Sequence, residues 1–445
     1  MPVLEITYLP VTALAPLERN ARTHSPKQIR QIADSIRRFG FTNPILIDQQ
    51  SRIIAGHGRV AAARLLKMEQ VPTVRLEHLS EPERRAYILA DNRLAELAGW
   101  DREILAIEFQ YLTLLELDFS LELTGFELPE IQILMDEQSD EQAEEEEPVP
   151  ALPETSSVIS RSGDLWVLGE HRLLCGNALA AASFERLIGN DTATIVFTDP
   201  PYNVPIEGHV TCLGKQKHPE FAMACGEMSE AEFTSFLTTV LTHLARHSAD
   251  GSLQYICMDW RHLYELLNAG RAVYREFKQL CVWNKDNGGM GSLYRSKHEL
   301  VLVFKCGNAP HINNVQLGKF GRYRTNVWDY PGMSSVGPSR DAALALHPTV
   351  KPVALIADAL RDASHRGDIV LDPFGGAGST LLAAERTQRR ARLIEIDPRY
   401  VDVTIRRWQE ATGRKAVLSG AERTFDDVAT ERSLHTRDTE GHGHE

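Results

Sequence analysis

The stretch Thr194–Tyr202, reading TIVFTDPPY, constrains this chain more than any other. Ile195, Val196 and Phe197 form a short apolar run of β-branched and aromatic residues, as a buried strand requires. Pro200 and Pro201 follow at once, and neither can donate to a sheet ladder, so the strand must stop there. A carboxylate, Asp199, and an aromatic ring, Tyr202, are therefore held on a stiff turn at the carboxyl end of a strand. In open α/β sheets that edge is where ligands bind. Taken alone, the same four residues also describe a plain strand terminator.

From about residue 158 to 415, short β runs alternate with helical ones, which predicts a doubly wound α/β sheet. Within it, IVLDPFGGAGST (Ile369–Thr380) reads as a strand, a glycine-rich turn and a helix start. Glycines let a backbone pass close to a ligand, and a helix N-terminus offers free N–H groups. The candidate contacts are Asp372, Pro373, Phe374, Gly376, Gly378, Ser379 and Thr380. Glu395 lies 17 positions after Gly378 on the next predicted strand, a spacing that suits a carboxylate gripping ribose hydroxyls. The turn is G-G-x-G-S-T and not the G-x-G-x-x-G of dinucleotide sites. A nicotinamide-dinucleotide site and a purely structural turn are the competing readings.

Asp-Pro-Pro-Tyr resembles the catalytic motif of amino-methylating DNA methyltransferases, and Asp-Pro-Phe-x-Gly-x-Gly-Ser/Thr resembles their S-adenosylmethionine motif. Two further pieces fit. His347-Pro348-Thr349-Val350-Lys351-Pro352 begins 25 residues before Asp372, where that family has the segment flanking the methionine end of the cofactor. Leu174-Cys175-Gly176-Asn177 sits where the family usually has Gly-Asp, whose carboxylate accepts from the adenine amine of the cofactor; Asn177 offers a carbonyl without the charge. The order, Asp-Pro-Pro-Tyr first and the glycine-rich loop last, resembles the β class of these enzymes over roughly residues 160–412. The resemblance implies a Rossmann-like fold and S-adenosylmethionine as cofactor. It also implies a flipped-out base in double-stranded DNA, whose amine is met by Asp199 and the Pro200 carbonyl while Tyr202 stacks on the ring. Asp at position 199 favours adenine N6; cytosine N4 is the alternative within the class. A binding or nucleotide-switch protein with an inactive methylase body is the alternative outside it. Lys285, Tyr294, Arg295 and Lys297 fall in the expected DNA-reading region, where their side chains can meet phosphates.

Residues 1–135 read as a separate small α+β module. Ser25-Pro26-Lys27-Gln28 signals a helix start, and Gly40 a stop. "NPILID", "RIIAGHGRVAAA" and "VPTVRLEHLSEPERRAYILADNR" together resemble the N-terminal domain of ParB-type partition proteins, a fold shared with sulfiredoxins. In that family a Gly-x-x-Arg turn contacts nucleotide phosphates. Gly56, His57 and Arg59 are the matching candidates here, with His57 and Gly58 replacing the family's Glu and Arg. Residues 101–135 add helical pieces, 136–157 read as an acidic linker, and 416–445 read as a disordered tail.

A net charge of −13 seems to argue against a nucleic-acid partner, but its distribution reverses the point. Residues 136–147 hold eight acids and no Lys or Arg, and Ala421–Glu445 hold seven acids against three arginines. The remaining body is close to neutral and can present a basic face to phosphate. The six cysteines form no C-x-x-C pair, which argues against zinc and for reduced thiols. With no apolar run long enough to span a bilayer and no secretory leader pattern, the expected compartment is the cytoplasm. A homodimer and a nucleotide at the N-terminal module stay open.

Overall fold

A computed structural model describes residues 4–17, 22–115, 117–140, 158–204, 226–286, 288, 293–319, 321–332 and 350–440. The chain divides into two compact units, Met1–Gln138 and Ser139–Glu445.

The first unit is built on four strands: β1 (Ile6–Pro10), β2 (Ile45–Ile47), β3 (Ile53–Ala55) and β4 (Gln70–Arg75), in the order β1-β4-β2-β3. The helix Pro26–Phe39 starts as its sequence predicts, with Ser25 Oγ accepting the Gln28 N–H at 3.1 Å and Gly40 ending it at φ +82°. Val11, Leu14, Ile45, Ile47, Ile53, Val60 and Val71 form the core beneath it. The helix His57–Leu65 rises directly from β3 through Gly56, whose φ of +102° few other residues adopt. Further along, the helices Arg102–Leu114 and Leu128–Asp140 close on a small core of their own, formed by Ala106, Phe109, Ile131, Leu134 and Met135.

The second unit is organised by one mixed sheet. Its strands are β5 (Leu165–Leu168), β6 (His171–Cys175), β7 (Ala193–Thr198), β8 (Ser248–Met258), β9 (Glu276–Asn284), β10 (His298–Lys305), β11 (Val327–Asp329), β12 (Ile369–Asp372), β13 (Arg390–Glu395), β14 (Val417–Leu418) and β15 (Arg423–Thr424). They lie in the order β11-β9-β10-β8-β7-β12-β13-β6-β5-β14-β15. The centre, β8-β7-β12-β13-β6, is parallel and the flanks are largely antiparallel. Alternate residues of β7 serve opposite faces. Ile195 and Phe197 join a core with Leu355, Leu381 and Trp408, whereas Val196 joins Phe184, Phe233 and Leu237. Helices thus cover both sides of the sheet, as buried parallel strands require. The helix Glu230–Arg246 begins with the capping box legible at Ser229 and Glu232. The chain leaves β7 toward β8 on one side and β12 leads to β13 on the other, so a crevice opens where the carboxyl ends of β7 and β12 diverge.

The reading of residues 416–445 as a disordered tail is corrected by the structure over residues 416–440; 441–445 lie outside the described residues. β14 pairs with β5 and extends the sheet, and the helix Phe425–Glu440 follows. Phe425 is buried with its ring edge-on to Trp166 at 5.3 Å, Val428 is fully buried, and Arg432 donates to Asp164 and to the Ile159 carbonyl. A few well-placed apolar residues on a sheet edge anchor a stretch whose average composition is that of a tail. Phe425→Ala is expected to cost this unit about 3 kcal/mol, read as a lower denaturant midpoint.

Candidate active site

β7 and β12 run side by side, with Val196 opposite Leu371; β7 ends just before Asp199 and β12 ends on Asp372. The Asp372 carboxylate is buried between them. Its Oδ1 accepts from Thr198 Oγ1 at 2.8 Å and from the Phe374 N–H at 3.0 Å, and its Oδ2 accepts from Thr380 Oγ1 at 2.6 Å. Burial pushes this carboxyl up to about 6, against the pull of those hydrogen bonds. Asp372 and Thr380 therefore shape the glycine-rich turn, and Pro373 is buried beside them. Phe374 is half-buried with its ring 6.1 Å from that of Phe236.

The two key glycines differ in what they permit. A Cβ on Gly378, at φ +85°, would meet Thr404 Cγ2 at 2.7 Å, so this glycine lets the helix Pro398–Thr412 pack against the turn. Among the described residues, a Cβ on Gly376, at φ +50°, would meet only the Phe374 carbonyl at 4.0 Å, so those residues leave space above it. Ser379 then begins the helix Ser379–Arg386, nearly buried.

Glu395 closes this half of the site from the end of β13. One carboxylate oxygen accepts the Gly376 N–H and the other the Asp397 N–H, each at 2.8 Å. Each oxygen keeps an acceptor lone pair. Burial raises this carboxyl to about 7, the two N–H bonds work against the rise, and Asp397 and Asp372 add to it. The neighbouring end of β6 is tied in by Gly176, whose N–H donates to the Glu395 carbonyl. Asn177 is exposed there, and its Oδ1 accepts the Leu179 N–H at 2.8 Å. His347 and Thr349 lie outside the described residues.

The other half of the site is an ion network around Asp199. Tyr202 donates its hydroxyl to Asp199 Oδ1 at 2.5 Å, and Lys351 Nζ donates to Oδ2 at 2.6 Å. Lys351 also donates to Glu299 Oε2 at 2.9 Å, and Lys285 pairs with Glu299 Oε1. Pro200 and Pro201 hold the turn between Asp199 and Tyr202. Burial raises the Asp199 carboxyl and Lys351 opposes the rise. Burial works the same way on Glu299, but Lys351 and Lys285 together bring it down to about 2. Lys351 was expected at the methionine end of the cofactor and Lys285 against phosphate; the structure gives both to this carboxylate cluster. Tyr294, Arg295 and Lys297 are exposed on the segment entering β10. Glu299 was not among the expected site residues. The one signal for it is an acid at the head of the apolar strand HELVLVF, where a charge needs a partner.

In the first unit, the Arg59 guanidinium lies over Gly56, with Nε 3.1 Å from where a Cβ would be. Arg59 Nε and His57 Nε2 are buried without a hydrogen-bond partner among the described residues. Burial lowers both pKa values.

Comparison with known proteins matches three parts of the chain. Residues 193–406 match the family model described as DNA methylase, residues 2–93 that of the ParB N-terminal domain, and residues 103–162 that of a ParB-methyltransferase HTH domain. The chain joins a ParB-type N-terminal domain to a DNA methylase domain. Among its relatives, the ParB-like nuclease domain-containing protein YnaK of Escherichia coli is 50% identical over 82 residues, 18% of this chain and 94% of that protein. The DNA adenine methyltransferase YhdJ of Escherichia coli is 25% identical over 265 residues, 54% of this chain and 83% of that protein. A solved structure from Thermus thermophilus, a DNA modification methylase complexed with S-adenosyl-L-methionine, is 23% identical. The match covers 57% of this chain and all of that one, with a TM-score of 0.39.

The cofactor of the methylase is S-adenosylmethionine, and the residues at the β12–β13 edge fit it. The space that the described residues leave above Gly376 adjoins the Glu395 carboxylate, which has lone pairs to offer ribose hydroxyls. The ionised form of Glu395 is the better acceptor. Since its carboxyl sits near 7 in the free protein, cofactor affinity should fall roughly tenfold per pH unit as pH drops below about 7. Glu395→Gln should bind more weakly at pH 8 and lose this pH dependence; calorimetry from pH 5.5 to 8.5 checks it.

Proposed function

We propose that this methylase transfers a methyl group from S-adenosylmethionine to the N6 amine of adenine in double-stranded DNA. The observation that carries the reading is the Asp199 carboxylate, fixed beside Tyr202 on a proline-stiffened turn at the same carboxyl edge of the sheet as the glycine-rich turn. An exocyclic amine is a poor nucleophile because its lone pair is delocalised into the base. Asp199 and the Pro200 carbonyl can accept its two N–H bonds and draw the nitrogen toward tetrahedral geometry. Both acceptors gain strength as positive charge develops on nitrogen, so they favour the transition state over the ground state. A base inside a duplex cannot reach Asp199, so it must flip out, and the Tyr202 ring offers it a stacking face. When bound, S-adenosylmethionine supplies an electrophilic methyl group on a positively charged sulfur. The match to an adenine methyltransferase supports adenine over cytosine.

Asp199→Ala is expected to lower turnover by about 100-fold or more while cofactor affinity holds. Mass spectrometry of digested, methylated DNA should find N6-methyladenine; N4-methylcytosine as the only product would make cytosine the substrate.

For the first unit we propose that Gly56, His57 and Arg59 hold phosphate, of a nucleotide or of DNA. The support is a glycine that lets the chain turn into a helix N-terminus beside a buried guanidinium with an unused N–H. Arg59→Ala in the full-length protein should weaken DNA binding and flatten its salt dependence by about one unit of log–log slope if the contact is to DNA. If the contact is to a nucleotide, the loss should appear in nucleotide binding and the slope should stay.

A further inference from the structure

Asp199 has a neighbourhood richer than the acceptor role alone demands. Three separate segments converge on it. Tyr202 comes from its own turn, Glu299 from the start of β10, and Lys351 from the segment preceding the helix Val353–Ala363. Lys351 Nζ reaches Asp199 at 2.6 Å, Glu299 at 2.9 Å and the Tyr202 oxygen at 3.2 Å, with its side chain only 5% exposed. The Tyr202 hydroxyl has one proton and two carboxylates in reach, Asp199 at 2.5 Å and Glu299 at 3.2 Å. Glu299 is anchored in turn by Lys285, whose Nζ lies 4.5 Å from the centre of the Trp283 ring, and Trp283 donates to the Tyr330 carbonyl at 2.9 Å. Glu299 faces Trp283 in the β9–β10 register, so its place is set by the sheet.

We propose that Glu299 and Lys351 are positioning residues for the methyl transfer, holding Asp199 and Tyr202 in the amine-accepting arrangement and setting the charge around Asp199 with opposite signs. The inference rests on Asp199 being the amine acceptor. Each Asp199 oxygen already takes one donor and keeps one acceptor site. With Lys351 fixed by Glu299, those remaining sites point in a constant direction. Two half-buried carboxylates and two lysines balance one another; removing one partner leaves a charge uncompensated. A structural ion pair of this kind has no need to include the reacting carboxylate, and this one does.

The groups facing Asp199 are Lys351, Glu299 and Tyr202, with Cys257 on β8 and Asp372 on β12 behind them and Lys285 acting through Glu299. Lys351 favours the ionised form of Asp199, and Glu299 disfavours it. Only ionised Asp199 can accept both donors and the amine, so with the cofactor held saturating at every pH, which removes the Glu395 dependence of binding, its titration sets the acid limb of the rate.

The test is single-turnover methyl transfer from tritiated S-adenosylmethionine to unmethylated genomic DNA by the full-length enzyme, from pH 5 to 9. Glu299→Gln keeps the shape and removes the negative charge, so the acid limb should move to lower pH. Lys351→Met should move it to higher pH by about one unit, and Lys351→Arg should restore it toward the original. Rates at the optimum should fall in the first two variants with cofactor affinity, by calorimetry, within about threefold of the parent. A merely structural role lowers rates without moving the limb in opposite directions. With Asp199→Ala inactive, limbs that stay put or move the same way would overturn this inference alone. Full activity in Asp199→Ala would overturn the acceptor reading and this inference together.

Discussion

The buried Asp372 carboxylate is the interaction on which the site depends. It accepts from Thr198 at the end of β7, from the Phe374 N–H within the glycine-rich turn, and from Thr380 in the helix that follows. Three pieces of chain are thereby held to one side chain at the point where the strand order reverses. Its burial is costly, as the rise of its carboxyl to about 6 records, and the three donors offset that cost. β7 and β12 are paired as neighbouring strands, and this clamp carries the tie beyond their ends into the turns that bear the motifs. Methyl transfer needs donor and acceptor in line, a requirement of position before it is one of chemistry.

On either side of the clamp the sheet edge divides its labour. The β12–β13 side offers a glycine-lined opening and one buried carboxylate, Glu395, with capacity to accept more. The β7–β10 side is densely charged, with Asp199 and Glu299 shared between Lys351 and Lys285. One half is poised to take up a ligand with hydroxyl groups. The other is held by mutual pairing, with one acceptor site left on each Asp199 oxygen. That contrast follows from where each acid sits. Among the described residues Glu395 accepts from backbone N–H groups, whereas Glu299 meets two ammonium groups, and the same kind of carboxyl lies near 7 in one place and near 2 in the other.

Much of this was legible in the chain itself. The Pro-Pro turn after IVF, the glycines at 376 and 378, the capping boxes and the alternating β and helical runs are local signals, and local sterics enforce them. The two-part organisation was also readable, because an acidic stretch without apolar periodicity separates two patterned regions. The reading went astray where composition was averaged. Residues 416–432 look like a tail, yet Phe425 and Val428 meet the edge at β5 and Trp166.

By itself, then, the sequence determined which residue types stand at the carboxyl ends of β7, β12 and β13, and that the chain must turn sharply there. It could not determine their partners. That Lys351 lies on Asp199, 152 positions away, that Glu299 joins them, and that Gly378 makes room for Thr404 are outcomes of tertiary packing. The physical reason is range. Backbone sterics and capping act within a few residues. A buried charge instead takes whatever opposite charge the sheet order brings within hydrogen-bonding distance, and that order is set by the burial of both sheet faces.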